Sequence, residues 1–289
     1  MSSSKLTAND ATYKVRKIKD LAIRGLCVLF TLLALVPLFS VLYYLTVRGI
    51  GGVNLAFFTE LPKPVGEEGG GMANAIVGTL ELVGLACLFG IPPGAMAGIY
   101  LAEFQESKLS RLVRFSADVL SGVPSITVGV FIYGIFVLTM KRFSMVAGAV
   151  ALAVLMLPTV TRTTEELMRL VPVQLREAGL GLGLPRWRVT LKIIFRTALP
   201  GIVTGIMLAV ARVAGETAPL LFTALSNRFW NDGIDQPVAS LPVQIYTYAV
   251  SPFEDWHRQA WAAALMLVVF ILILNVTARL MVRHRVKAR

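Results

Sequence analysis

Long apolar runs, separated by short polar connections, dominate the chain. A helix needs about twenty consecutive apolar residues to cross a bilayer. Six segments meet this requirement: Leu21 to Val47, Ala73 to Leu101, Ala117 to Met140, Phe143 to Thr161, Leu199 to Leu225 and Ala260 to Val282. The pattern therefore predicts an all-α integral membrane protein with six transmembrane helices.

The polar segments between these runs predict the remaining organisation. No small-residue cleavage site follows the first apolar run, so we expect that helix to be retained as an anchor. The outer connection is rich in Gly and Pro and predicts an irregular loop. The predicted parts are a tail at 1–20, a first helix at 21–47, an outer loop at 48–71, a core at 73–282 with a long loop at 162–198, and a tail at 283–289.

Basic residues orient the six predicted helices. The chain carries 28 Lys and Arg against 17 Asp and Glu, a net charge of +11. Twenty-one of the basic residues lie on the side that contains both termini, six lie on the other side, and Arg212 lies inside a predicted span. An excess of basic residues is typical of the cytosolic side of a membrane protein, so the pattern predicts cytosolic termini. The excess of positive charge thus indicates topology in a lipid bilayer, not nucleic-acid binding.

Glycine and proline mark special points in the apolar runs. Gly90, Gly94 and Gly98 recur at every fourth position, a spacing that lets membrane helices approach closely. The stretches Pro92-Pro93 and Gly122-Val123-Pro124-Ser125 interrupt apolar runs and free backbone groups. Two interpretations are open: the breaks line a substrate path, or they are kinks that help the helices pack.

The connection at 162–198 has the pattern of a docking element. Apolar residues recur in it at helix-like intervals, so the segment has a face to bury. Its centre reads REAGLGLGLPRWRVTLKII, in which a short helix runs into glycine-rich turns and Pro185 opens the next helix. The pattern predicts a short helix pair that fits a groove on a soluble partner.

Several chemistries have no support in the sequence. There is no Gly-Lys pair and hence no phosphate-binding loop of the Walker type, so an ATP-driven process would need another subunit as its motor. Cys27, Cys87, His257 and His284 are not arranged at metal-ligand or catalytic spacing. We expect no catalytic residue, no metal site and no cofactor in this chain.

The docking segment resembles a known loop. Glu177, Ala178 and Gly179, with Gly183 four residues later and Ile193 ten after that, resemble the Glu-Ala-Ala loop of type I ABC-importer permeases. The chain departs from the pattern in having Gly179 where the family has a second Ala. The resemblance implies a type I importer fold and a coupling helix, with ATP and Mg bound by a cytosolic ATPase.

Three further stretches narrow the resemblance. GVPSITVGVFIYG, LPTVTRTTEELMRLVP and above all ARVAGETAPLL resemble the PstA permeases of bacterial phosphate importers, over roughly Ala73 to Val282. The resemblance implies transport of inorganic phosphate through the cytoplasmic membrane. It also implies four kinds of partner: the sister permease PstC, two copies of the ATPase PstB, the extracytoplasmic phosphate-binding protein PstS, and the bilayer.

The motif ARVAGETAPLL places two charges inside a predicted span. Arg212 and Glu216 are four residues apart and could pair on one helix face. One interpretation is a structural ion pair; the other is that Arg212 binds phosphate and Glu216 competes for it. With Thr217 and Ser125, these residues are our candidates for the substrate path. Glu81 and Arg162 are ionisable groups in or near spans to which the sequence assigns no single role.

Two other classes of function remain as alternatives. An ion-gradient-driven secondary transporter would use Glu81 or Glu216 to carry protons. It would not need the docking segment, and the paired halves typical of such transporters are not visible in the sequence. A channel or an assembly subunit would explain neither the docking segment nor the charged motif.

Overall fold

The structure is a computed structural model that describes residues 10–67 and 69–287. Eleven helices and a 3-10 helical turn at Ile50–Gly52 account for its regular structure in this part of the chain, where the only β contact is an isolated bridge between Pro62 and Gly70. They are α1 (Asp10–Gly49), α2 (Leu55–Thr59), α3 (Ala73–Glu103), α4 (Lys108–Gly122), α5 (Ser125–Met140), α6 (Met145–Arg169), α7 (Val173–Gly181), α8 (Arg186–Ala214), α9 (Ala218–Thr223), α10 (Leu241–Ala249) and α11 (Glu254–Lys287).

Five of these helices are long and apolar enough to cross a membrane, namely α1, α3, α6, α8 and α11. A sixth span results if α4 and α5 are counted together, although their axes bend by 106° at the break between them. The prediction of a multi-pass, all-helical membrane protein is therefore confirmed.

The chain divides into two compact units, the first ending at Arg48 and the second beginning at Gly49. The first unit is mostly α1, whose apolar side chains, such as Phe30 and Phe39, are exposed. Exposed apolar side chains along a whole helix are what a lipid environment requires. The second unit contains the packed cores described below.

Helices α3 and α6 pack through glycine. A Cβ atom at Gly94 would lie 3.0 Å from Val160 Cβ, and one at Gly98 would lie 2.5 Å from Thr164 Cβ. Larger side chains at these positions would push the two helices apart. The predicted close approach is confirmed, and it places Leu82, Leu152 and Met156 in one core cluster.

Helix α8 packs on another face of the same half of α6. A Cβ atom at Gly201 would contact Leu167, and one at Gly205 would overlap Thr163. Helix α6 continues to Arg169, eight residues beyond the predicted end of span four. The connection predicted at 162–198 is consequently shorter, because its first residues belong to α6 and those from Arg186 onward belong to α8.

Two further predictions about the spans were wrong in detail. Span five does not run from Leu199 to Leu225, because α8 begins at Arg186 and ends at Ala214. Pro92-Pro93 do not interrupt α3, which is continuous through both residues. The predicted break at Val123-Pro124 is confirmed, and there the backbone is extended.

Candidate functional site

The motif that carries two charges inside a predicted span lies at a helix end. Helix α8 stops at Ala214, and the amides of Gly215 and Glu216 turn back to the carbonyls of Arg212 (3.2 Å) and Val213 (3.2 Å). Helix α9 then begins at Ala218. The two charges are therefore not in the middle of one helix, as we expected, but on either side of a break.

Arg212 and Glu216 form a loose ion pair across this break. Arg212 Nε and Glu216 Oε1 are 3.9 Å apart, which is too long for a hydrogen bond. The Arg212 side chain is 64% exposed on the surface of this chain, whereas that of Glu216 is 19% exposed. Because the carboxylate engages the guanidinium only weakly, the donors of Arg212 are free to bind another anion.

Both interrupted segments lead into helices that contact each other. Helix α5 begins at Ser125 and α9 follows Thr217, and a Cβ atom at Gly129 would lie 2.6 Å from Pro219 Cα. The fold thus places the two breaks at the ends of two packed helices. Among the described residues, no ion pair or side-chain hydrogen bond joins Ser125 or Thr217 to Arg212.

Glu81 lies beside a separate cavity of about 530 Å³. The amide of Asn231 donates a 2.9 Å hydrogen bond to its Oε2 atom. The cavity is formed by one face of α3, by Met145 and by the loop of residues 231–234. Glu81 is accordingly exposed and hydrogen-bonded, not isolated in the helix core.

The predicted coupling residues form the short helix α7 and the turn that follows it. Gly179 is buried, and a Cβ atom there would lie 3.0 Å from Val189 Cγ2 and 2.9 Å from Ile193 Cδ1. This contact explains why glycine suits the position where related loops carry alanine. Glu177 and Ala178 lie on the exposed side of the same helix.

Gly183 closes the turn between α7 and α8. Its φ angle is +75°, in the left-handed region that favours glycine, and its amide donates to the Leu180 carbonyl at 2.9 Å. A Cβ atom there would meet no neighbour within 4 Å. Gly183 is therefore required by the backbone of the turn and not by packing.

An apolar surface surrounds α7. Its members are large, apolar and well exposed: Leu170, Val173, Leu182 and Trp187. Exposed apolar patches of this kind mark sites of contact with another protein. The prediction of a docking segment gains a physical basis from this surface.

Helix α7 is tied to the end of α3 by an ion pair. Arg176 Nη1 lies 2.6 Å from Glu103 Oε2, and the bond raises the pKa of Arg176 above its ordinary value. The other carboxylate oxygen of Glu103 is buried and has no hydrogen-bond partner among the described residues. A displacement of α7 would therefore act directly on the last turn of α3.

A cluster of charges that the sequence did not reveal joins α4 to α6. Glu165 is 1% exposed and accepts from Arg114 Nε at 2.7 Å, Arg162 Nη1 at 3.1 Å and Arg169 Nη1 at 3.4 Å. Arg162 also binds the carboxylate of Asp118, with its Nε at 3.0 Å from Oδ1. Arg162 is thus a member of an ion-pair network that joins α4 to α6.

The same network reaches α3. The two terminal nitrogens of Arg114 donate to the carbonyls of Gln105 and Leu101, each at 3.2 Å. Because the last carbonyls of a helix have no partners within it, the bond to Leu101 completes the end of α3. The spacing of Arg162, Glu165 and Arg169 along α6 was visible in the sequence, but the approach of Arg114 was not.

Known proteins share the sequence and the fold of this chain. The model of the family described as "Binding-protein-dependent transport system inner membrane component" matches residues 94–287. A phosphate transport system permease protein PstA of Yersinia pestis is 49% identical over 83% of this chain and 81% of its own length. One from Haemophilus influenzae is 44% identical over 93% of this chain and 96% of its own length.

A solved structure shares the fold. A chain of the MetNI methionine ABC transporter, in an inward-facing conformation, superposes with a TM-score of 0.63 and 19% identity. The superposition covers 74% of this chain and 95% of the transporter chain. The predicted resemblance is confirmed, and the relatives do not favour an ion-gradient-driven transporter.

Proposed function

Because the chain belongs to the binding-protein-dependent transport system inner membrane components, and within them to the PstA permeases of phosphate transport systems, we propose that it forms half of the membrane path of an ATP-driven phosphate importer. The coupling segment is the observation that carries the proposal. An exposed apolar surface lies around α7, and α7 is attached to two spans through Gly179 and Arg176.

The complex contains four kinds of subunit under this proposal. The sister permease PstC completes the path, two copies of the ATPase PstB bind ATP and Mg, and the binding protein PstS delivers phosphate. The chain itself contributes no ATPase site, which agrees with the lack of a Gly-Lys pair in its sequence.

The complex resides in the bacterial cytoplasmic membrane with both termini of this chain in the cytosol. The distribution of Lys and Arg supports this orientation. The end of the bundle that holds α7 is then cytosolic, where a soluble ATPase can reach it. The connection at residues 48–71 and the loop near Glu81 face outward.

Phosphate binds to Arg212 on its way through the path. The planar guanidinium offers paired N–H donors that suit phosphate oxygens. Glu216, 3.9 Å away, competes for the same donors and stabilises the empty site. A carboxylate that takes the place of the departing anion allows release, since a site that binds too tightly cannot transport.

Helix α8 connects the coupling segment around α7 to Arg212. It is 29 residues or about 44 Å long, with the contact between Gly179 and Val189 near its start and Arg212 near its end. A π-helical turn at Thr190–Ile194 lies directly at the contact with α7. When the ATPase closes, movement of α7 is therefore transmitted to the start of α8, the helix that carries Arg212.

The turn at Gly183 gives a test of coupling. Gly183→Val should leave the chain inserted in the membrane but reduce the amount of ATPase that co-purifies with it by about tenfold. A β-branched residue is strongly disfavoured at a φ of +75°, so α7 would no longer present its docking face. Quantitative pull-down of the complex in detergent measures the effect.

Gly181→Val is the matched control, because Gly181 also has no neighbour within 4 Å of a Cβ atom but does not have a positive φ. It should retain the ATPase. Equal retention by both variants, with normal phosphate uptake, would contradict the assignment of α7 as the docking element.

A further inference from the structure

Helix α4 has an exposed apolar face that packs on no described part of the protein. Leu109, Leu112, Phe115 and Val119 are each half or more exposed, and they recur at helical spacing. The opposite face, with Ser110 and Ala117, is buried against the bundle. Helix α4 is thus amphipathic, but its apolar face points away from the protein.

Basic side chains accompany this face. Lys108 and Arg111 are exposed and have no ion pair or side-chain hydrogen bond with the described residues. The acidic residue on the helix, Asp118, is already bound to Arg162. Glu106, in the preceding turn, is also exposed, so the free charges on α4 itself are the positive ones of Lys108 and Arg111.

The position of α4 along the bundle suits a membrane surface. Helix α5 has 16 residues from Ser125 to Met140 and is about 24 Å long, less than the hydrocarbon thickness of about 30 Å. Helix α4 ends at the inner end of α5, and the axes of the two helices bend by 106° at the break between them. The axis of α4 therefore departs from the direction of the span close to the level of the lipid headgroups.

We propose that α4 lies in the headgroup region of the predicted cytosolic leaflet and binds anionic phospholipid. Its apolar face enters the boundary between headgroups and acyl chains, and Lys108 and Arg111 bind lipid phosphates. Arg114 and Asp118 connect the helix to Glu165 and Arg162 of α6. Anionic lipid bound to α4 then holds this helix, and the break before Ser125 that follows it, in position. The inference depends on the membrane topology and not on phosphate being the substrate.

The test measures lipid contact directly. Phe115→Cys, made in a background with Cys27→Ser and Cys87→Ser, is labelled with bimane in the complete transporter. The complex is reconstituted into mixed phosphatidylcholine and phosphatidylglycerol in which one lipid or the other is brominated. Brominated phosphatidylglycerol should quench the fluorescence about twofold more strongly than brominated phosphatidylcholine at equal mole fraction.

Lys108→Gln with Arg111→Gln should remove this preference while leaving quenching by both lipids. The matched control is Lys192→Gln with Arg196→Gln on α8, which should keep the preference. A second label at Leu112→Cys repeats the measurement if the first variant does not assemble. No quenching by either lipid would show that protein covers the face, and equal quenching before the charge substitutions would show no selection for anionic lipid. Either result overturns the proposal.

Discussion

Arg212→Gln should reduce ATP-driven phosphate uptake by about 100-fold or more while the complex still assembles. The substitution removes the charge and the paired donors that would hold phosphate, and hydrogen bonds to charged groups contribute about 1.5–3 kcal/mol each. Assembly should survive because the side chain is largely exposed and makes only the loose contact with Glu216. The measurement is uptake of labelled phosphate into proteoliposomes, normalised to assembled complex.

Two variants control this experiment. Arg196→Gln removes an exposed charge from the same helix and should leave uptake unchanged. Glu216→Gln should slow turnover without weakening phosphate binding, because the carboxylate competes with phosphate for Arg212 and so acts in release. Normal uptake by both the Arg212 and Glu216 variants would mean that the pair only supports the structure.

Glu165→Gln should be the most destabilising single substitution in the charge network. The carboxylate is buried and accepts from three guanidinium groups, so an uncharged amide would leave those charges uncompensated. Breaking a buried ion pair from one side costs about 3–5 kcal/mol. We expect a Tm lower by on the order of 10 °C, measured by thermal unfolding of the purified complex.

Asp118→Asn is the comparison for this prediction. It removes a carboxylate from the same network, but the Asp118 side chain is mostly exposed and solvent screens its interaction with Arg162. Its effect on Tm should be much smaller. If the two variants unfolded at the same temperature, burial of Glu165 would not be what stabilises the junction of α4 and α6.

Apolar periodicity was enough to find the membrane helices, because a span is defined by length and composition. It could not locate the end of α8. The residues after Ala214 remain mostly apolar, so hydropathy continues through the break, although Gly215 and Pro219 were visible as residues that commonly end one helix and begin the next. Backbone geometry, and not polarity, decides where that helix stops.

The candidate site was predictable only in its local part. The spacing of Arg212 and Glu216 predicted a pair, and the pair is present, but its looseness depends on the break between them. The buried network needed Arg114, which is 51 residues away from Glu165 in sequence. The tie between Arg176 and Glu103 spans 73 residues. Contacts of this kind depend on how the helices pack, which a single sequence does not give.

The energy source of transport is the most direct test of the proposed function. The complete complex is placed in proteoliposomes with ATP and Mg accessible to the ATPase and phosphate-loaded binding protein on the opposite side. The account predicts that phosphate accumulates only with hydrolysable ATP, and that ionophores which dissipate proton and sodium gradients do not reduce the rate. Phosphate uptake driven by an imposed ion gradient without ATP would contradict it.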